Sequence, residues 1–467
     1  MKPWPTTKIF IVFFVFLGCS ARKAEYEKDV GSDNFTYDLF EETPTNPSLI
    51  KWGLPISLMQ LVTETVSEEI CPSGWTELYK RFKSDGKAEL VSLQPNYVKR
   101  FADLNEFNQT MDYAYPLVSG SFPVVRLTLA WPCFQNPTWQ EKILQTVEHL
   151  QELGAEIELT LSHHDSYPAL LETTDIMTTG WANENAAAKF ANYSADVISV
   201  FEGKIPKGTV IYLINEPMGY LFNAYLGFGN WPPGGKKAAK TMAKALVNMR
   251  EGLYLAAKKI KEAGYRAAIA KNLRPVLNRE TPEAETLDYI FSWWLLKALL
   301  DGCIDDNFDG KCEEKREPAP IEILGITFYG TMKATTEIID FGLPQKQTQP
   351  MSLPEYDFEP TPVYFQESVQ GAIDLFGNNT EIGIAEIGFS SASIEKMAYW
   401  LFAYRKVIED LYHQEEIKNR PFIQLHSLFE SAEFSPGEWV FHLIGLCDEN
   451  GCGLTPWGKK VIEIISE

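Results

Sequence analysis

Short apolar runs alternate with longer amphipathic segments along this chain from about residue 49 onward. The short runs are rich in Val, Ile and Leu without strict alternation, which is typical of parallel strands covered on both faces. Strands are predicted at 49–53, 124–131, 156–163, 209–214, 266–271, 321–329, 382–386 and 422–427. Helices are predicted at 139–153, 184–201, 236–263, 368–376, 393–412 and 457–465. Eight strand–helix units in series predict an α/β fold, a single (β/α)8 TIM barrel, with its active site at the C-terminal ends of the strands.

Two of the apolar runs end in a glutamate. The run that begins at Thr209 stops at Asn215-Glu216-Pro217, because proline cannot donate a further ladder hydrogen bond. The run 381–388 presents Glu386 in the same way. Two carboxyl groups at the ends of separate parallel strands are the pair that retaining glycoside hydrolysis requires. The sequence therefore predicts a glycosidase with Glu216 and Glu386 as its catalytic residues.

Polar and aromatic side chains also follow other predicted strands. They are Arg126 and Trp131 on the second strand, His163, His164 and Asp165 on the third, Phe328 and Tyr329 on the sixth, and His426 on the eighth, followed by Glu430 and Glu433. A single such residue is typical of any loop. Their recurrence at the strand ends predicts one polar site at the mouth of the barrel.

The charge balance excludes one class of partner. The 467-residue chain carries 42 Lys and Arg against 63 Asp and Glu, a formal net charge of -21. Nucleic-acid binding needs clustered basic residues, so no nucleic-acid partner is expected. The 12 Trp, 20 Tyr and 28 Phe are expected mostly in the core, with some available to stack on sugar rings. No metal or organic cofactor is predicted.

The N-terminal residues have the features of an export signal. Lys2 and Lys8 precede an apolar run, 9–18, that is too short to span a bilayer, so residues 1–19 are predicted to be a signal peptide. Leu17-Gly18-Cys19 resembles the lipobox of bacterial lipoproteins, which leaves both a lipid anchor on Cys19 and simple secretion open. Residues 20–46 are polar and acidic and predict a flexible tether, followed by a catalytic domain at 47–467. The expected location is outside the cytoplasm, as a membrane-anchored lipoprotein or a periplasmic or extracellular protein.

The six remaining cysteines permit disulfides in an exported chain. Cys303 with Cys312 and Cys447 with Cys452 are the predicted pairs, because each pair shares one polar loop. Cys71 and Cys133 are left open.

The loop 305–310 has oxygen-bearing side chains at the spacing that begins a calcium loop. Arg316 occupies the twelfth place, where such a loop carries an acidic residue. A solvated loop is therefore favoured over a calcium site.

Six short motifs, taken in order, resemble glycoside hydrolase family 1, the β-glucosidase family, from about residue 49 to the C-terminus. They are Trp52-Gly53, 126–131 (Arg-Leu-Thr-Leu-Ala-Trp), 159–165 (ending in His-His-Asp), Asn215-Glu216-Pro217, 324–329 (ending in Thr-Phe-Tyr) and 384–388 (Ile-Ala-Glu-Ile-Gly). Each motif is short, and their order and spacing together carry the resemblance.

The resemblance implies a retaining β-glycosidase that acts by double displacement, with Glu386 as nucleophile and Glu216 as general acid/base. In it, Asn215 would bind the sugar 2-hydroxyl, and Arg126 and Tyr329 would flank the nucleophile. A guanidinium and a phenol beside Glu386 are expected to keep its carboxylate ionised, whereas an acid needs burial or a neighbouring negative charge to hold its proton.

The resemblance also implies the sugar contacts. Gln60, His163 and Glu433 match residues that bind sugar hydroxyls in the family, and His426 stands where the family has a Trp under the sugar ring. Further departures are His164 for Trp, Thr327 for Asn, Ala385 for Thr and Ile387 for Asn. These changes leave the preferred sugar open. The Ser, Lys and Tyr set that holds a 6-phosphate in some members is not visible, so a phosphorylated sugar is not expected.

Three functions are consistent with these residues. The main hypothesis is an exported retaining β-glycosidase acting on a small β-linked glycoside or oligosaccharide. A non-catalytic glycan-binding protein on the same barrel is one alternative, motivated by the altered sugar-site residues, and a transglycosidase is another. The sequence leaves the aglycone and the oligomeric state open.

Overall fold

The computed structural model describes residues 49–67, 69–86, 100–164, 166–173, 175–227, 229, 231–341, 348–389, 393–429, 431–432, 439–440, 444–448 and 451–466. The predicted signal 1–19, the tether 20–46 and the candidate sugar contact Glu433 lie outside these ranges. Within them, no helix is both long enough and apolar enough to cross a membrane.

Eight parallel strands form a closed barrel. They are β1 Lys51–Ser57, β2 Val124–Thr128, β3 Glu156–Ser162, β4 Val210–Asn215, β5 Arg266–Asn272, β6 Ile321–Phe328, β7 Glu381–Ile387 and β8 Phe422–Leu425. Each strand pairs with the next along the chain, and β8 pairs with β1 to close the ring. Each predicted strand overlaps an observed one, and the predicted TIM barrel is confirmed.

Helices connect the strands. The α-helices of the described ranges are Leu58–Leu61, Gly74–Ser84, Leu104–Ala114, Pro137–Glu152, Ala186–Phe201, Pro217–Leu221, Ala239–Glu262, Pro282–Asp288, Leu295–Leu300, Pro362–Phe376, Ile394–His413 and Pro456–Ser466, with π-helical turns at Phe222–Leu226 and Tyr289–Trp294. Local capping fixes several starts: the Asn136 side chain accepts the Thr138 N–H, and the Ser393 side chain accepts the Lys396 N–H. The six predicted helices are all present.

The interior of the barrel is filled below the predicted site. A small apolar cluster of Tyr212, Ala268, Ala270, Ile323 and Ala385 occupies it. A Cβ added to Gly325 would lie 2.4 Å from the Cβ of Ala385, so only glycine fits between β6 and β7 here. The Tyr212 ring lies 4.9 Å from the guanidinium carbon of Arg126 and supports that side chain from below.

An antiparallel hairpin follows β6 and reaches back to β5. Its strands are Thr331–Ile339 and Met351–Asp357. The Met332 N–H donates to the Pro275 carbonyl at 3.1 Å, and the Leu277 N–H donates to the Met332 carbonyl at 2.9 Å. These bonds fix the segment after β5 against the hairpin. Three smaller antiparallel pairs are Cys303–Ile304 with Glu314–Lys315, Ser431–Ala432 with Trp439–Val440, and Ile444–Asp448 with Gly451–Leu454.

The disulfides differ in part from the sequence prediction. Cys447 and Cys452 are bonded as predicted, and Cys71 is bonded to Cys133, a pair 62 residues apart that the sequence left open. The predicted bond between Cys303 and Cys312 is wrong, because both are free thiols. Cys303 is paired in its ladder with Lys315, and Cys312 donates to the Glu314 carbonyl at 3.1 Å. Burial and the neighbouring Cys312 thiol raise the pKa of the Cys303 thiol to about 12.

The loop at 305–310 satisfies its own acidic side chain. Asp305 accepts hydrogen bonds from the Gly310 N–H at 2.8 Å and from the Tyr289 hydroxyl at 2.7 Å. In the described part of the chain, no group of three or more His, Cys, Asp or Glu side chains is arranged to hold a metal ion. The loop is therefore built as a turn around Asp305.

Candidate active site

Glu386 lies near the end of β7 and is held by two donors. Arg126 donates from Nη2 to Oε2 at 2.8 Å, and the Tyr329 hydroxyl donates to Oε1 at 2.8 Å. The side chains of Arg126 and Glu386 are only 2% and 9% exposed, so the ion pair is sheltered from water. Charge-assisted hydrogen bonds of this kind are short and strong, and they hold a carboxylate in position. The two flanking groups expected from the sequence both contact Glu386.

Arg126 connects four strands around this carboxylate. It extends from β2, and its Nη1 donates to Asn215 Oδ1 at 3.0 Å and to Thr160 Oγ1 at 3.3 Å. Its Nη2 also donates to the Ala385 carbonyl at 2.9 Å. Because these partners lie on β3, β4 and β7, the guanidinium sets the spacing between the ends of those strands.

Glu216 follows β4 in an unusual backbone conformation. Its φ of 50° and ψ of 51° place it in the left-handed region, which a residue with a side chain adopts only when its surroundings impose it. The Glu216 N–H donates to the Ala270 carbonyl at 2.9 Å, and Pro217 begins the helix Pro217–Leu221 directly afterwards. The chain therefore turns sharply at Glu216 and presents its side chain at the mouth of the barrel.

The surroundings of Glu216 favour its protonated form. Burial raises the pKa of the Glu216 carboxyl above its usual range, and the negative charge of Glu386 raises it further. Three other influences lower the pKa of Glu216: the charge of Arg274, a hydrogen bond from the Thr327 hydroxyl, and the electrostatic effect of His163. The Thr327 hydroxyl donates to Glu216 Oε1 at 2.8 Å. The two carboxyl groups thus have different surroundings, since Glu386 is bound by a guanidinium and a phenol and Glu216 has a raised pKa.

The predicted sugar contacts within the described ranges are all buried. Gln60 is 1% exposed, Asn215 1%, His163 8% and His426 7%. Gln60 Nε2 and Asn215 Nδ2 are buried donors with no hydrogen-bond partner in the described part of the chain. Buried donors of this kind need a polar partner, from a ligand or from water.

Two small cavities lie at this end of the barrel. One is lined by Trp131, Ser162, His163, His164, Tyr167, Pro168, Trp181, Ile214, Asn215 and Tyr220. The other is lined by Pro55, Ile56, Ser57, Gln60, Leu61, His426, Ser427, Leu428 and Phe429. The first cavity therefore brings together predicted sugar contacts from β3 and β4, and the second brings together those from β1 and β8. Glu433, the remaining predicted contact, lies outside the described residues.

Similarity to known proteins is found in the fold. No protein-family model and no curated protein matches the sequence. A β-glycosidase from Pyrococcus horikoshii matches 90% of this chain and 95% of its own, with a TM-score of 0.67 and 16% identity. The AHE enzyme from Alicyclobacillus herbarius matches 91% of this chain and 99% of its own, with a TM-score of 0.70 and 18% identity. A β-glucosidase from Thermotoga maritima, solved in complex with castanospermine, matches 91% of this chain and 99% of its own, with a TM-score of 0.68 and 16% identity.

The chain shares its fold with these structures. At 14–18% identity, the likeness shows the fold alone. The chemistry depends on the side chains of this chain. Among the matched structures is one named as a family 1 β-glucosidase from Thermotoga maritima.

Sequence reasoning missed the contribution of β5 to the mouth of the barrel. Lys271 is fully buried, and its ammonium donates to the Phe291 carbonyl at 2.6 Å and to Asn272 Oδ1 at 3.3 Å. Burial lowers the pKa of Lys271 well below its usual range. Arg274 is 6% exposed and acts on Glu216. The sequence contains the pattern that would have revealed it. Lys271 ends the predicted strand 266–271, and Asn272 and Arg274 follow it, as polar residues do at the other strands.

Proposed function

We propose that this chain is an exported retaining β-glycosidase, a divergent member of glycoside hydrolase family 1, that hydrolyses a small β-linked glycoside or oligosaccharide. The observation that carries the proposal is the asymmetric pair of carboxyl groups. Glu386 is bound by Arg126 and Tyr329, and Glu216 stands nearby with a raised pKa. The barrel shared with β-glycosidases from several organisms supports the same reaction class.

In the first step, Glu386 attacks the anomeric carbon while Glu216 gives its proton to the departing oxygen. Arg126 and Tyr329 keep the Glu386 oxygens oriented before the attack. The products are the free aglycone and a sugar bonded covalently to Glu386.

In the second step, Glu216 acts as a base. Ester formation removes the negative charge of Glu386, which is one of the two causes of the raised pKa of Glu216. The pKa of Glu216 then falls, and its carboxylate takes a proton from the attacking water. The sugar is released with its anomeric configuration retained.

Incubation with a panel of aryl β-glycosides tests this function directly. The proposal expects release of the phenol from at least one β-linked sugar, with a β-configured first product by NMR. Aryl α-glycosides of the same sugars serve as the control and should not react. Binding of glycans without turnover of any β-glycoside would instead support the glycan-binding alternative.

Thr327 provides a test of the acid role through the pH dependence of kcat/KM. Its hydroxyl donates to Glu216 and lowers the pKa of that carboxyl, so Thr327→Val should raise the pKa. The basic limb of the profile, which reports loss of the acid proton, should then move to higher pH while the acidic limb stays in place. Thr331→Val, a change at a buried threonine that follows β6, is the control. An unmoved basic limb in Thr327→Val would contradict the assignment of Glu216 as the acid.

Export forms part of the proposal and rests on residues 1–19. Mass spectrometry of the mature protein should find an N-terminus at or after Cys19. A diacylglycerol mass on Cys19 would identify a lipoprotein, and an unmodified N-terminus would identify simple secretion. Retention of residues 1–19 in the mature protein would contradict export by this signal.

A further inference from the structure

Arg274 is a buried cation that the proposed mechanism does not use. It is 6% exposed, and its Nη1 has no hydrogen-bond partner within the described part of the chain. The hydroxyl oxygen of Tyr356 is likewise buried without a partner there. The guanidinium carbon of Arg274 lies 5.3 Å from the centre of the Tyr356 ring, so the two side chains are neighbours. A buried guanidinium with donors to spare is costly unless an anion can reach it.

The backbone holds Arg274 in place on both sides. Before it, the Leu273 N–H donates to the Thr327 carbonyl at 3.2 Å, and after it, the Pro275 carbonyl accepts the Met332 N–H at 3.1 Å. The Phe358 ring centre lies 4.5 Å from the guanidinium carbon. The Tyr356 and Phe358 rings pack against the Arg274 guanidinium, so the N–H groups at its edge remain for a ligand.

The strand order places these groups on the leaving-group side of the site. Arg274 follows β5, and Gln60 follows β1, which is four strands away in either direction around the ring. Of the other predicted sugar contacts, His426 follows β8, next to β1, and His163 and Asn215 lie at the ends of β3 and β4. Glu216 follows β4, the neighbour of β5, and Arg274 acts on its charge, so Arg274 lies on the side of the proposed acid, where the aglycone leaves. Phe358, which contacts the Arg274 guanidinium, is 45% exposed.

We propose that Arg274 and Tyr356 form a subsite for a carboxylate carried by the leaving group. The inference rests on the proposed function and names its substrate class, β-glycosides whose aglycone is an acid such as a hexuronate or an aromatic acid. A carboxylate accepts the Arg274 Nη1 and Tyr356 hydroxyl donors together. The carboxylate of the ligand also offsets the positive charge of Arg274, which lowers the pKa of Glu216. Glu216 therefore keeps its proton in the complex.

Two matched substrates test this subsite. They are the 4-(carboxymethyl)phenyl and 4-(carbamoylmethyl)phenyl β-glycosides of one accepted sugar, which have similar shapes and phenol leaving groups insulated from the charge by a methylene. Wild-type kcat/KM should be roughly 10- to 100-fold higher for the acid, the size of a charge-assisted hydrogen bond. Arg274→Gln should bring the ratio close to one, and Tyr356→Phe should lower it in part.

The ratio separates recognition from a merely structural role, because loss of structure lowers both rates together. Arg274→Lys, which keeps the charge and loses the fork, should retain an intermediate ratio. Arg279→Gln is the control, since Arg279 lies on the same segment and pairs with Glu367 at 2.7 Å on the surface. An unchanged ratio in Arg274→Gln, or a wild-type preference for the amide, would overturn the subsite.

Binding of the free aglycones distinguishes failure of this inference from failure of the proposed function. By calorimetry, 4-hydroxyphenylacetate should bind the wild type more tightly than 4-hydroxyphenylacetamide does, and Arg274→Gln should abolish the difference. Absence of hydrolysis with this binding difference intact would contradict the glycosidase and leave the anion subsite standing. Hydrolysis with equal binding of both aglycones would contradict the anion subsite and leave the glycosidase standing.

Discussion

Glu386→Gln should lower kcat for an aryl β-glycoside by about 10⁵-fold, the scale seen when a catalytic nucleophile is removed. The amide keeps the shape of the side chain and still accepts from Arg126, but it cannot form the glycosyl ester. Its effect should fall on kcat and kcat/KM alike, because attack on the anomeric carbon occurs only in the transition state.

Glu381→Gln is the matched control for this substitution. Glu381 starts the same strand, β7, and pairs with Arg266 at 2.7 Å at the opposite end of the barrel from the site. The control should keep the wild-type rate. Circular dichroism and thermal unfolding of both variants would show whether the barrel is intact, since removal of the Glu386 charge leaves the buried Arg126 uncompensated. A folded Glu386→Gln enzyme with more than a tenth of the wild-type rate would rule out Glu386 as the nucleophile.

Glu216→Ala should have an effect that depends on the leaving group. Glycosides of sugars or alkyl alcohols need a proton on the departing oxygen, and their kcat/KM should fall by about 10³- to 10⁴-fold. Dinitrophenyl glycosides depart without that proton, so their kcat/KM should fall far less. Azide should restore turnover of the dinitrophenyl substrate, because a small anion fits the space left by the carboxyl and needs no base to attack the glycosyl-enzyme.

Glu172 is the appropriate control for the acid, because it is a second carboxyl with a raised pKa. Burial is the main cause that raises the pKa of Glu172 to about 7, and Arg81 and hydrogen bonds from Thr179 and Tyr167 oppose it. On pKa alone it would compete with Glu216. Glu172 neighbours Arg81 and Thr179, and neither Arg126 nor Glu386 is among the groups that perturb it. Glu172→Gln should keep the wild-type dependence on the leaving group, and a dependence that matched Glu216→Ala would move the acid role to Glu172.

The barrel was predictable because its strands carry their own signal. Buried parallel strands appear as short runs of branched apolar residues, and Pro217 marks the end of β4 in the sequence itself. The helix Leu104–Ala114 was missed, although its buried residues Leu104, Phe107, Met111 and Ala114 have helical spacing and Asp103 caps it. That segment lies in the long connection between β1 and β2, where repeated strand–helix units gave no expectation of an additional helix.

The positions of the candidate site residues were predictable where a residue lies at the end of its strand. Glu216, Tyr329 and Glu386 belong to this group, since the barrel fixes where the end of each strand lies. Tyr356 could not be placed in the same way, because it reaches the site through a hairpin whose position depends on contacts with Pro275 and Leu277. The bond between Cys71 and Cys133 was undetermined for the same reason, since only the folded chain brings residues 62 apart into contact.

Covalent trapping tests the central claim most directly. The protein would be incubated with 2-deoxy-2-fluoro β-glycosyl fluorides of several sugars, whose glycosyl-enzyme intermediates form and then hydrolyse slowly, and the labelled peptide would be identified by mass spectrometry. The account predicts one sugar per chain, attached to Glu386, with the fastest-reacting sugar reporting the preference of the site. A label on any other residue, or no covalent label in a preparation that hydrolyses the parent glycoside, would contradict it.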